Sequence, residues 1–265
     1  MGWLAAVLLA QAAELSLPPS IPQGGIIEAH AGAGGRLRFE GRTVPLFRDV
    51  TSGYVGLIPV PVALTPGVYL VELVDGAGVV RGSASVTVTD AHFPRQNIHA
   101  TREMEELKPL PGEMEAIHGI EEAVTPTRYW RQPFRTPTAG CMSSPFGVSR
   151  YHNGKFTGNY HRGVDIRARE GQAVRAAAAG EVRIAAMYRL HGGTVGIDHG
   201  QGVVSVYIHL SRIAVRKGGR VEAGEVIGYA GHTGFATGPH LHWGLYVNGL
   251  PVNSNQWVHG VAPCR

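Results

Sequence analysis

The sequence predicts an all-β protein in which two strand-rich parts are joined by a short helical connector. Three observations carry this. Of 265 residues, 37 are Gly, about twice the average usage of roughly 7%, and they recur as turn signals without a Gly-X-Y period. Only 17% of residues are charged, too few for a coiled coil or long charged helices, while 44% are apolar, which excludes wholesale disorder. Short apolar runs alternate with polar residues at the two-residue period of half-buried strands.

Residues 1–12 read as a signal peptide. Trp3 to Ala10 is an apolar run and Ala10-Gln11-Ala12 is a small-x-small cleavage site, although no Lys or Arg precedes the run. Pro18-Pro19 stops any continuation, and no apolar stretch reaches the 18 or more residues of a spanning helix. Export makes a disulfide between Cys141 and Cys264 the expectation; the alternative is two buried thiols. Residues 20–92 read as a small β-sandwich. Strand-like runs fall at 25–29, 36–39, 53–58, 68–74 and 83–89, and Val86 and Val88 alternate with Ser85, Thr87 and Thr89. Asp75-Gly-Ala-Gly78 and Pro66-Gly67 read as turns, and no cluster of ligand-type residues appears in this part.

Residues 93–137 read as a solvated connector. After Pro109 and Pro111, one short helix is expected from about Gly112 to Ala123, followed by an extended stretch with three Pro. Residues 138–265 return to strands, expected at 180–186, 193–198, 203–209, 226–230 and 240–247, with Asn248-Gly249 as a hairpin turn.

The chemistry concentrates in His161-x-x-x-Asp165, Tyr207-x-His209 and His240-x-His242. On a strand, His240 and His242 share one face and Leu241 takes the other. Gly163 argues against a helix through the first motif, and its spacing still places both residues on one side. A catalytic zinc takes three N/O protein ligands and keeps one position open, and imidazole and carboxylate suit it. Five candidates are available for that role or for the shell around it. HExxH is missing, so a His must act as base. With 13 His in the chain, one HxH alone is weak; His30, His92, His99, His118, His191, His199 and His259 read as ordinary surface or core residues. Tyr207, two before His209, is expected to point the same way, and His232 reads as an exposed loop residue.

These residues, with Ser144-Pro-Phe-Gly147, Gly180-Glu-Val, Val195-Gly-Ile-Asp-His-Gly200, Gly224-x-x-Ile-Gly228 and Thr237-Gly-Pro-His-Leu-His-Trp243, resemble the lysostaphin/LytM-type zinc endopeptidases of bacterial cell walls. The resemblance covers about 125 residues of the C-terminal half and is weaker for the N-terminal sandwich. It implies a Gly-rich antiparallel, barrel-sandwich-like domain with one zinc held by His161, Asp165 and His242. It further implies His209 and His240 as the catalytic histidines. His240 would take the attacking water's proton and His209 would donate a hydrogen bond to the oxyanion. The implied partner is peptidoglycan peptide, cleaved outside the cytoplasm in the periplasm, wall or medium by a chain we expect to be monomeric.

Two other classes compete. A non-catalytic wall-binding or hydrolase-activating module of the same fold would lack HxxxD or HxH. A carrier-like protein related through the pattern at 218–228 would need no metal site. Charge adds a partition: residues 1–99 hold 6 bases and 7 acids, residues 100–124 hold 2 and 7, and residues 125–265 hold 16 and 6. The basic C-terminal half suits a polyanionic wall, and nothing resembles a nucleic-acid module.

Overall fold

The computed structural model describes residues 14–258 and 260–264. The segment read as a signal peptide lies outside the described residues, as does His259. The architecture is the expected all-β one, and among the described residues the two larger of three apolar clusters form its main cores.

The first core lies between a four-stranded sheet (Leu15–Ser16, Ile26–Ala31, Gly53–Pro59, Phe47–Asp49) and a five-stranded sheet (Ser20–Pro22, Val80–Thr89, Gly67–Val74, Arg36–Phe39, Arg42–Pro45). Alternation selects the inward residues: Val86 and Val88 are buried while Ser85, Thr87 and Thr89 face solvent. They meet Ile27, Leu37, Ile58 and Leu73 between the sheets. The Asp75 carboxylate accepts the main-chain N–H of Ala77 and Val79, which closes the hairpin expected there.

The second core belongs to a ten-stranded antiparallel sheet. Its main order is Met142–Ser144, Val164–Arg167, His240–Val247, Val203–Ile213, Gly193–Gly200, Gly180–Met187 and Arg220–Val221. Ala173–Arg175 and Val226–Ala230 pair with one another, and the latter strand returns onto Val203–Ile213. Trp243, Tyr207, Ile166, Ile197, Leu210 and Leu241 fill the interior. The Asn248-Gly249 turn has positive φ at both residues and joins Val247 to Leu250, the geometry that a two-residue hairpin loop demands. Cys141 and Cys264 form a disulfide. Beside it, Met142 donates its N–H to Ala262 and accepts one from Cys264 at its carbonyl, so the C-terminal segment is stitched to the first strand of this sheet.

The segment read as a solvated connector is built into the protein. Arg95–Ile98 pairs in parallel with Ser149–His152, whose antiparallel partner is Lys155–Tyr160. Two helices follow rather than one, Arg102–Glu105 and Glu113–Glu121. The second lays Ile117 and Ile120 on the sheet face formed by Ile184, Val204, Val206, Ile208 and Tyr246. Further on, Trp130 and Phe134 bury their rings against Trp257, with centroids 5.0 and 4.9 Å away. An acidic, Pro-interrupted sequence hides these anchors because each apolar partner lies far along the chain.

Glu113 fixes the second helix. Its side chain is fully buried and accepts hydrogen bonds from the main-chain N–H of Leu110, Arg189, Leu190 and His191 and from the His191 ring at 2.7 Å. Burial alone would raise this carboxyl, but the donors outweigh it and hold its pKa at about 2. Glu113→Ala would leave four part-buried amides without this acceptor and is expected to destabilise the fold by about 3 kcal/mol, read by denaturant unfolding. Because the folded value lies below the unfolded one, this contribution is present above about pH 4.3 and is lost as pH falls toward 2. The variant's stability should therefore vary less with pH across that window.

Candidate metal centre and active site

Strand pairing assembles the centre. Val164–Arg167 lies antiparallel to His240–Val247 with Asp165 opposite His242 and Arg167 opposite His240. Pairing brings Asp165 beside His242, while the tight approach before it delivers His161. Gly163 makes that approach feasible: a Cβ there would lie 2.5 Å from the Trp243 carbonyl and 2.9 Å from the His242 ring. On the other strand, Leu241 points into the core while His240 and His242 face the groove, as alternation predicts.

Three atoms converge. His161 Nε2 is 3.0 Å from Asp165 Oδ1, His242 Nδ1 is 2.9 Å from the same oxygen, and the two nitrogens are 3.0 Å apart. His161 gives its Nδ1–H to the Pro145 carbonyl at 2.8 Å, so its Nε2 carries a lone pair. Neutral His242 has at most one proton to place among the three atoms. The cluster thus turns more lone pairs inward than protons can satisfy, and a shared cation resolves this. Two imidazole nitrogens and one carboxylate oxygen form a donor set that suits zinc with one position open.

The surroundings favour the metal-competent forms. Burial opposes ionisation of Asp165, yet the His161 ring beside it, aided by His242, holds its carboxyl well below the usual carboxylate range. Arg150 adds an ion pair to Asp165 Oδ2 at 3.1 Å. Burial pushes His242 down to about 4, against the pull of Asp165, so this ring is neutral at neutral pH.

His209 and His240 stand beside the three, with ring centroids 4.8 Å apart, and His240 Nε2 is 3.8 Å from Asp165 Oδ1. Each gives its Nδ1–H to a main-chain carbonyl, His209 to Thr233 and His240 to Gly238, both at 2.8 Å. Each therefore presents a bare Nε2. Burial, with His240 and His242 nearby, pushes His209 down to about 3. All five histidine and aspartate side chains singled out in the sequence line one groove of about 970 Å³.

The structure corrects one orientation. Tyr207 does not share the groove with His209. It is fully buried, and its hydroxyl accepts the Ala177 N–H and meets Ser205 on the opposite side of the sheet. The pairing slips between Val195–Tyr207 and Gly193–Leu210, and His209 has φ of 66°. This β-bulge turns His209 onto the groove face with Ile208, where simple alternation would place it beside Tyr207. His232 is exposed and pairs with Glu170, as the loop reading expects.

Several groups escaped the sequence reading. Arg150 supports Asp165 from a neighbouring strand. Ser144 sits 3.2 Å from His161 Nδ1 and donates to Gln96, which lies on Arg95–Ile98. Met114, Ile117 and Glu121, from the segment read as a connector, line the groove wall. Nothing in local spacing announces these contacts; only Ser144 stood inside a quoted motif.

Comparison with known proteins points to one peptidase family over this part of the chain. The model of peptidase family M23 matches residues 159–254. The DD-carboxypeptidase/endopeptidase Mpg of Neisseria meningitidis serogroup B is 44% identical over 112 residues, which cover 42% of this chain and 26% of that protein. Lysostaphin of Staphylococcus staphylolyticus is 35% identical over 113 residues, covering 42% and 23%. The chain thus spans about a quarter of the length of these curated relatives. A crystal structure from Pseudomonas aeruginosa, assigned to peptidase M23, aligns with a TM-score of 0.69 at 27% identity, over 90% of this chain and 94% of that one. This last likeness extends the shared fold well beyond residues 159–254.

Proposed function

We propose that the chain, whose residues 159–254 match the model of peptidase family M23, is a zinc-dependent endopeptidase that hydrolyses peptide bonds in peptidoglycan. The observation that carries this is the convergence of His161, Asp165 and His242 with two further base-bearing rings on one groove. Two relatives support the substrate class: a peptidoglycan DD-endopeptidase of Vibrio cholerae, 39% identical over 113 residues, and a glycyl-glycine endopeptidase of Staphylococcus capitis, 38% identical over 113 residues. Whether stem-peptide cross-links or bridges are cut follows from the substrate experiments below. We further propose export, since the Cys141–Cys264 disulfide belongs to an oxidising compartment. Among the described residues no helix is long and apolar enough to cross a membrane.

Zinc held by His161, Asp165 and His242 would supply Lewis acidity toward a carbonyl oxygen and toward water. The protein's own groups do the rest. His240 Nε2, 3.8 Å from Asp165 Oδ1, accepts the proton of the attacking water and returns it to the leaving amine. His209 is neutral at neutral pH and its Nδ1–H is already given to Thr233. Its bare Nε2 therefore accepts, and it could donate to an oxyanion only after taking up a proton, which burial opposes. The hydrogen bonding thus favours His209 as a second acceptor over the donor role expected from the resemblance. The carbonyls of Gly238 and Thr233 hold both rings in position, so little reorganisation is needed as charge moves.

Metal analysis of protein purified without chelator tests this reading. About one zinc per chain, with chelator-sensitive release of peptides from purified cell walls, is expected. A chain that retains no zinc and releases nothing would instead be a binding or activating module.

A further inference from the structure

The groove holds a charged pair that the hydrolytic chemistry leaves unused. Arg162 follows the ligand His161, lines the groove, and is 42% exposed at its side chain. Its Nη2 donates to Glu121 Oε2 at 2.8 Å, and its guanidinium lies 5.2 Å from the centroid of the Tyr246 ring. Glu121 is buried, and its other carboxylate oxygen has no hydrogen-bond partner among the described residues. It comes from the helix Glu113–Glu121, outside the segment matched to the family model. That helix is itself clamped by the buried Glu113.

A guanidinium has five N–H donors in a rigid fork. Within the described residues this one makes a single hydrogen bond, to Glu121. The remaining donors sit on a half-exposed group whose plane is braced by a carboxylate on one side and an aromatic ring on another. An Arg free to move would stay in water; one held in place and still donor-rich is arranged to receive a planar acceptor. Arg150, by contrast, is already engaged with Asp165.

We propose that Arg162, positioned by Glu121, is a specificity-determining residue that binds a free carboxylate on the peptide substrate beside the scissile bond. This rests on the peptidase reading above. The fork would dock the carboxylate bidentately while the reacting carbonyl lies over the neighbouring metal centre. Glu121 acts through Arg162 and is a positioning residue.

The test uses the full chain loaded with zinc and two defined cross-linked peptides that differ only in a carboxylate or a carboxamide on the residue at the scissile bond. The wild-type protein should prefer the carboxylate form by about tenfold to a hundredfold in kcat/KM, mainly through KM. Arg162→Gln should lose the preference and cleave both forms with similar kcat/KM, with zinc content unchanged. Glu121→Gln should shrink the preference without abolishing cleavage. Equal cleavage of both peptides by the wild-type protein would overturn the proposal whether or not the variants fold. So would an undiminished preference in a folded Arg162→Gln protein. Cleavage of neither peptide would instead count against the peptidase reading itself.

Discussion

Replacing Asp165 by Ala should abolish zinc retention and hydrolysis together. The carboxylate oxygen is the shared contact of the cluster, 3.0 Å from His161 Nε2 and 2.9 Å from His242 Nδ1. It is also the only anion among the three candidate ligands. Without it a divalent ion would sit between two neutral rings and close to the Arg150 guanidinium, which would have lost its partner at Oδ2. Activity should fall on the order of 10³-fold or more, because the ligand set that fixes the open site is broken. His161→Ala should behave alike, since Nε2 of that ring is the one that its Pro145 hydrogen bond leaves free. Zinc per chain, measured after gel filtration alongside peptide release, checks both variants. Asp165→Asn separates charge from shape: it retains the volume, and it too should lose the metal.

The second large effect concerns the paired rings. His240→Ala and His209→Ala should each keep zinc while losing about 10²- to 10⁴-fold in kcat. Neither side chain belongs to the three-atom cluster, yet both aim a bare Nε2 at the same groove from Nδ1 anchors 2.8 Å long. The two losses should not add: rings 4.8 Å apart serve one proton transfer, so the double variant should resemble the worse single one. Zinc analysis with single-turnover kinetics reads the separation. Full activity in His209→Ala would sink its assignment.

Much of this was legible in the primary structure for a physical reason. Alternation along 240–247 is strictly local, so the common face of His240 and His242 followed from the period of a strand, and the structure places Leu241 in the core. The Asn248-Gly249 hairpin and the Asp75 turn were readable because turn chemistry is also local. Tyr207 shows where that logic ends. A single register slip beside Leu210 reverses the face of His209, and it arises from pairing with a strand more than a dozen residues away. The connector shows the other limit. Its acidic run looks solvated, but Glu113 finds its donors at residues 189–191 and Ile120 meets Ile184 and Val206. Such partners cannot be read from the composition of the segment that needs them.

On the proposed reading, the His161, Asp165 and His242 cluster, with His209 and His240, makes a hydrolase of cell-wall peptides. Digestion of purified peptidoglycan of known cross-linking, followed by mass identification of the new termini, tests it most directly. New amine and carboxyl ends at one type of peptide bond are expected, produced by the wild-type protein, stopped by chelator and absent with Asp165→Ala. Intact peptides after incubation with zinc-loaded wild-type protein, or cleavage that persists in Asp165→Ala, would contradict it.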